Sequence, residues 1–274
     1  MILVSHTAQP RCLAMAVDRI DTKTKPEFKI IQISDSHLTK TDKDRVFGFP
    51  ANKNFSLVME KLYHEEDVDL IFATGDISND YSKESYQLFA EKISLIDKPV
   101  YWIPGNHDNT ETMREVFAYF PHFKEGTHLS HANWHFLFLN TKFENNSYGK
   151  IQKSELNTLQ KKIELIPTSG KIAIVMHHPA IKVNTPLVDA HGLREPDAFI
   201  ELVKRYKNIS LIICGHVHED YCLPIANCKL ITCPATCFQF KKNAIELAFE
   251  KRVGYKLYTF NKEGFTCSTK QWDF

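Results

Sequence analysis

The stretch Tyr101-Trp102-Ile103-Pro104-Gly105-Asn106-His107-Asp108 decides how this chain folds. An apolar run that reads as a buried strand stops at Pro and Gly, then delivers an amide, an imidazole and a carboxylate together. Four other segments repeat this arrangement. Residues 31–34 lead to Asp35-Ser36-His37, and residues 70–74 to Gly75-Asp76. Residues 172–176 lead to His177-His178-Pro179, and residues 211–214 to Gly215-His216-Val217-His218. In an α/β sheet, loops beyond the carboxyl ends of the strands converge on one crevice, where ligands bind. Any one of these motifs alone reads as an ordinary turn. All of them, in this order and each after an apolar run, read as one site.

The donor types say which chemistry that site supports. Imidazole, carboxylate and amide oxygen without thiolate suit catalytic iron, manganese or zinc rather than a structural zinc. Two ions about 3.5–4 Å apart can grip a phosphate through two oxygens and generate a hydroxide at neutral pH. A pair of ions calls for a bridging carboxylate, and Asp76 is the candidate. Gly75 before it lets the backbone turn tightly off the strand.

Outward from these motifs, strand and helix patterns alternate. Strands are predicted over 28–33, 68–73, 99–103, 134–140, 171–176 and 209–214, and helices over 54–65, 83–96, 111–120, 154–166 and 196–207. Ser82 and Ser154 are predicted N-caps, and Pro196 suits a first helical turn. After residue 228 the helices stop. Residues 229–233, 254–260 and 265–270 read as strands, the last two joined into a C-terminal hairpin by Asn261-Lys262-Glu263-Gly264. Residues 1–26 lack clean periodicity and read as an N-terminal extension outside the core, with one domain over 27–274.

The whole chain is 274 residues with Lys+Arg 34 against Asp+Glu 33, a formal net charge of +1. That balance argues against a broad nucleic-acid surface. No apolar run nears the roughly 20 residues that span a bilayer, so a cytoplasmic protein without membrane attachment is expected. Seven Cys is an odd count in a chain long enough to bury a core, so reduced thiols are expected. Cys222, Cys228, Cys233 and Cys237 lack the Cys-x2-Cys knuckle of a structural zinc and read as buried thiols on neighbouring strands. The sequence leaves monomer and homodimer open.

The five motifs resemble those of the calcineurin-like metallophosphoesterases: Asp-x-His, Gly-Asp, Gly-Asn-His-Asp/Glu, His before Pro, and Gly-His-x-His. The resemblance implies an α/β fold of two facing mixed β-sheets flanked by helices, with the C-terminal hairpin added. A closer similarity, over roughly residues 28–270, is to the class III cyclic-nucleotide phosphodiesterases. It rests on 32–38, 74–78 and 102–108, and on Asp189-Ala190-His191-Gly192-Leu193-Arg194 and 234–240 outside the metal motifs.

The resemblance implies two divalent or trivalent ions, iron or manganese with zinc also admissible. The first would be held by Asp35, His37, Asp76 and His218, and the second by Asp76, Asn106, His177 and His216. His177 is chosen over His178 because the family's ligand lies two residues before the Pro. His107 would be the catalytic acid, and His37, Asp76, Asn106, His107 and His218 would also face the substrate. The implied reaction is hydrolysis of 3′,5′-cyclic AMP, or a related cyclic nucleotide, to the 5′-nucleotide by a hydroxide bridging the two metals. A different phosphodiester or a phosphomonoester is the alternative substrate class, and a non-catalytic scaffold a further one. Relatives often carry Asp where this chain has Asn79, which leaves open whether Asp80, Asp108 or neither orients His107. His191 is a substrate-side candidate. His64, His122, His128, His131 and His135 lack motif context and read as surface or packing residues.

Overall fold

Residues along β2 (Glu27–Ile33) alternate between two cores, as the two-residue period of a strand requires. Phe28 and Ile30 pack into one apolar cluster, and Ile31 and Ile33 into another. This strand lies in the computed structural model of the chain, which describes residues 17–19, 25 and 27–274. Its sheet runs β17 (Phe265–Asp273), β16 (Arg252–Asn261), β2, β3 (Leu70–Ala73), β4 (Val100–Trp102) and β5 (Phe123–Glu125). Strands β2 to β5 are parallel, and β16 and β17 add antiparallel at one edge.

A second sheet faces the first. Its order is β1 (Asp18–Arg19), β6 (His128–His131), β7 (Trp134–Leu139), β9 (Lys171–Met176), β11 (Ile209–Cys214), β13 (Cys228–Thr232) and β12 (Cys222–Ile225). Strands β7, β9, β11 and β13 are parallel and almost wholly apolar, the mark of strands covered on both faces. Between the sheets, Phe28, Phe72 and Phe260 of the first meet Trp134, Phe136 and Ile213 of the second.

Helices close both outer faces. On the first sheet, α1 (Ala51–Leu62), α2 (Lys83–Ser94) and α3 (Thr110–Phe117) bury Phe55, Phe89 and Met113 against Ile31 and Ile71. On the second, α4 (Lys153–Glu164) and α6 (Asp197–Arg205) bury Ile163 and Phe199 against Ile174 and Ile212, and the single turn α5 (Pro186–Asp189) lies between them in sequence. Two small ladders complete the set: β8 (Gly149–Lys150) with β10 (Leu193–Arg194), and β14 (Gln239–Phe240) with β15 (Phe249–Glu250). The predicted fold class, two facing mixed sheets flanked by helices with a C-terminal hairpin, is the one observed.

Local expectations fared unevenly. The Ser82 side chain caps α2 by accepting from the Ser85 amide at 3.2 Å. Replacing Ser82 with Ala should therefore cost about 1 kcal/mol of unfolding free energy in a urea titration; an unchanged midpoint would count against the cap. Ser154 is not a cap: α4 begins one residue earlier, behind Gln152, which makes no side-chain cap bond. Pro196 sits just before α6 rather than within it. Helix α1 starts three residues ahead of its predicted start, and Asn52 in its first turn is tied to Thr39 through its amide group. Strands β5, β6 and β12 of the two main sheets were not foreseen. Within the segment read as an extension, Asp18 and Arg19 pair in parallel with Leu129 and Ser130; residues 1–16, 20–24 and 26 lie outside the described residues. Among the described residues, no helix is long and apolar enough to cross a membrane.

Candidate metal centre

Each motif sits where its parallel strand ends, so the two sheets deliver their polar groups to one seam. Asp35, His37, Asp76 and Asn106 follow β2, β3 and β4 of the first sheet, and His177, His216 and His218 follow β9 and β11 of the second. The loops are stitched by backbone bonds from Asp35 N–H to the Gly75 carbonyl (3.0 Å) and from His37 N–H to the Asp76 carbonyl (2.9 Å). The His216 amide donates to the Asp35 carboxylate at 3.0 Å, a bond that crosses between sheets.

The backbone here is held in an uncommon conformation. Asp35, His37, Asp76, His216 and His218 all have positive φ, between 45° and 71°. Left-handed backbone costs a non-glycine residue roughly 1 kcal/mol or more and persists only where the surroundings enforce it. The glycines are there for contact as well as for φ. A Cβ on Gly75 (φ 95°) would lie 2.5 Å from the Gly105 nitrogen and 2.7 Å from His177 Nδ1. One on Gly105 would collide with the Asp76 carboxylate.

Every predicted ligand is buried, and the structure brings all of them together. Asp76 Oδ2 is 3.3 Å from His177 Nε2 and 3.7 Å from His37 Nε2, so it stands between the two halves of the cluster. His218 Nε2 lies 3.0 Å from His37 Nε2 and 3.5 Å from Asp35 Oδ1. His216 Nδ1 lies 3.1 Å from Asn106 Oδ1.

Outer partners fix which nitrogen faces inward. The Thr74 carbonyl accepts from His177 Nδ1 at 2.7 Å, and the Phe238 carbonyl from His218 Nδ1 at 3.1 Å. The Nε2 lone pairs of both rings are thereby turned into the cluster. That orientation is what a metal requires and what bare packing would avoid. His178 Nε2 and His216 Nε2 are buried without a hydrogen-bond partner, a costly arrangement unless a cation accepts their lone pairs, and His177 Nε2 faces the Asp76 carboxylate at 3.3 Å. The 3.0 Å between His37 Nε2 and His218 Nε2 is the spacing of two nitrogens bound at about 2.1 Å and roughly a right angle to one ion. The residues fit a metal.

Protonation agrees with this reading. Burial pulls His37 down to about 4 and His216 down to about 3, and holds His218 well below the ordinary imidazole value. Their lone pairs are therefore free at neutral pH. Burial acts on His177 in the same direction, but the Asp76 and Asp35 carboxylates override it and raise His177 to about 9. Burial lifts Asp35 to about 7, whereas at Asp76 His177 and its neighbours outweigh burial and hold the carboxyl well below the usual range. Without a metal, a proton sits where the chemistry favours a cation.

His178 is closer to the centre than the sequence suggested. Its Nδ1 bonds Thr141 Oγ1 at 2.8 Å, and its Nε2 joins His177 and His216 in one potential metal-binding group. His177 alone of the adjacent pair also groups with Asp35 and Asp76. His107 is half-buried; its amide donates to Asp76 Oδ1 at 2.7 Å and its ring meets His37 edge-on at 4.8 Å. Neither proposed orienting carboxylate bonds that ring. Asp108 accepts the amides of Ile77, Ser78 and Gly105, and Asp80 accepts those of Lys40 and Ser82. Both carboxylates brace loops instead. The clustered cysteines do not converge either: among the described residues no potential metal-binding group holds more than one of them, and only Cys237 adjoins the centre, 3.8 Å from His218 Nδ1.

Above the centre opens a cleft of about 220 Å³, with His37, Asp76, Asn106, His107, His216 and His218 among its lining. The rest of its lining is largely apolar: Phe47, Leu187, Val188, Phe238, Phe240 and Leu247. His191 also lines it and shares a 2.7 Å bond with Ser147. Sequence reasoning missed the Thr74 and Phe238 carbonyls, although both lie within quoted motifs. It had no signal for Phe47, which belongs to none.

A two-sheet sandwich with these metal-competent groups at its strand ends fits a phosphoesterase. The chain belongs to the calcineurin-like phosphoesterase family, whose profile matches residues 28–220. Among its relatives, the 3′,5′-cyclic adenosine monophosphate phosphodiesterase CpdA of Vibrio vulnificus is 29% identical over 247 residues, covering 89% of each chain. A probable cyclic nucleotide phosphodiesterase of Coxiella burnetii is 34% identical over 240 residues, 86% of this chain and 94% of the other. A dimetal phosphatase from Danio rerio shares the fold, with a TM-score of 0.61, 11% identity and coverage of 89% of this chain and 99% of the other.

Proposed function

We propose that this protein hydrolyses 3′,5′-cyclic nucleotides, cyclic AMP among them, to 5′-nucleotides. The observation that carries the proposal is the mixed lining of the cleft, where metal-competent groups and His107 stand together with a set of apolar side chains. A bare phosphate needs only the polar groups; a nucleoside uses both sets. The printed names of the relatives point to the same substrate class.

In this reading Asp35, His37, Asp76 and His218 hold one ion and Asp76, Asn106, His177 and His216 the other. Two such ions, iron or manganese by donor chemistry, supply Lewis acidity and an activated water. The chain's own residues do the rest. Asp76 sets the spacing of the two halves through Oδ2 and pins the His107 loop through Oδ1. His107 faces the cleft and gives a proton to the departing 3′-oxygen or steadies its charge. The Thr74 and Phe238 carbonyls keep His177 and His218 in the tautomer whose lone pair points inward.

The test is a substrate panel with manganese- or iron-loaded protein: 3′,5′-cyclic AMP, 2′,3′-cyclic AMP, cyclic GMP and a phosphomonoester. Release of 5′-AMP from the first is expected. Turnover confined to the monoester would overturn the proposal.

A further inference from the structure

Phe47 stands out from every other aromatic around the cleft. It is 62% exposed, although it lines the same cavity as His37, Asn106 and His107. Its backbone is in the left-handed region at φ 49°, followed by Gly48 at φ 85°. The two residues form a tight turn closed by reciprocal bonds between Val46 and Phe49, at 3.0 and 2.9 Å. Turns with two positive φ values take Asn-Gly or Asp-Gly, because a bulky side chain at the first position is strained. Here the strained position carries a large apolar ring and offers it to solvent at the cleft mouth.

That ring is braced from beneath. It meets Phe238 edge-on at 5.9 Å and Phe249 at 5.4 Å, and Phe49 stacks on Phe238 at 5.0 Å. Phe238 in turn packs on the predicted metal ligand His218, with ring centroids 4.9 Å apart. Leu187 of α5 and Leu247 of the loop between β14 and β15 add to the apolar lining. A strained, preorganised, exposed aromatic beside a phosphate-handling site has a chemical complement: a flat π-system joined to a phosphodiester.

We infer that Phe47 is a specificity-determining residue that stacks the nucleobase of the substrate. The inference rests on the cyclic-nucleotide reading and deepens it, because it names the group that distinguishes a nucleotide from other diesters at this mouth. Base–aromatic stacking tolerates any base, so the residue would favour nucleotides as a class without choosing adenine over guanine.

The experiment uses Phe47→Asn, which suits the turn and lacks the ring, and Phe47→Trp, which keeps a π-face. Calorimetry on manganese-loaded protein compares 5′-AMP with ribose 5-phosphate, so the readout does not need turnover. The wild type should bind 5′-AMP about 5- to 20-fold more tightly than ribose 5-phosphate. That preference should collapse to under about twofold in Phe47→Asn and return in Phe47→Trp. A preference that survives in Phe47→Asn, or that is absent from the wild type, overturns the stacking role. So does an equal weakening of both ligands, which would make Phe47 merely structural. Hydrolysis of cyclic AMP by the wild type is scored separately. The activity proposal can then fail while base preference stands, or the reverse.

Discussion

Asp76→Asn is expected to lower kcat/KM on the order of 10³-fold or more, because the Asp76 carboxylate stands directly between His37 and His177. Asp76 Oδ2 lies 3.3 Å from His177 and 3.7 Å from His37, residues delivered by opposite sheets. Removing its charge leaves the proposed ions without their shared anion, so metal content should fall from two per chain toward one or none. The substitution keeps an oxygen that can still accept the His107 amide, a bond of 2.7 Å in the parent. Asp76→Ala would lose that acceptor as well and should lower the stability of the metal-free protein by a further 1–3 kcal/mol, roughly the cost of a stranded amide. Elemental analysis, turnover and urea titration of the two variants separate the roles. Full metal content and near-parental turnover in Asp76→Asn would end the bridging assignment.

His107→Ala is expected to reduce kcat for cyclic AMP by about 10²- to 10⁴-fold while leaving metal content unchanged. The side chain lines the cleft, and its ring stands beside His37 and Asp76, whereas the hydrogen bond to Asp76 runs from the backbone amide. The leaving group tells the two proposed roles apart. A departing ribose 3′-oxygen is strongly basic and needs a proton, whereas p-nitrophenolate leaves without one. If His107 is the acid, the loss with bis(p-nitrophenyl) phosphate should be far smaller than with cyclic AMP. An equal loss on both substrates would assign His107 to charge stabilisation. Loss of metal would make it structural.

Much of this was legible in the sequence because period and position did separate jobs. Continuous apolar runs such as 171–176 and 209–214 mark strands buried on both faces, and the residues after them mark where the strands open. That was enough to gather Asp35, Asp76, Asn106, His177 and His216 from separate loops onto one seam. Short edge elements escaped, since β12 carries a Pro and mixed burial that no pattern distinguishes from a loop. Ser154 was misassigned because a Ser at a helix start looks the same as a cap or as the residue beyond it. Orientation was beyond reach as well. That Thr74 and Phe238 aim two imidazoles depends on backbone carbonyls, which every residue possesses. The proximity of His178 to His216, with ring centroids 4.6 Å apart, and the lodging of Asp108 under three amides are likewise properties of the closed fold.

The two sheets contribute unequally to each proposed ion, but neither ion is complete on one sheet alone. In the proposed ligand sets, Asp35, His37 and Asp76 are joined by His218 from across the seam, and Asp76 and Asn106 by His177 and His216. Reactivity in this molecule is therefore indivisible. Either sheet without the other would keep several of the donor residues, yet not the proposed centre.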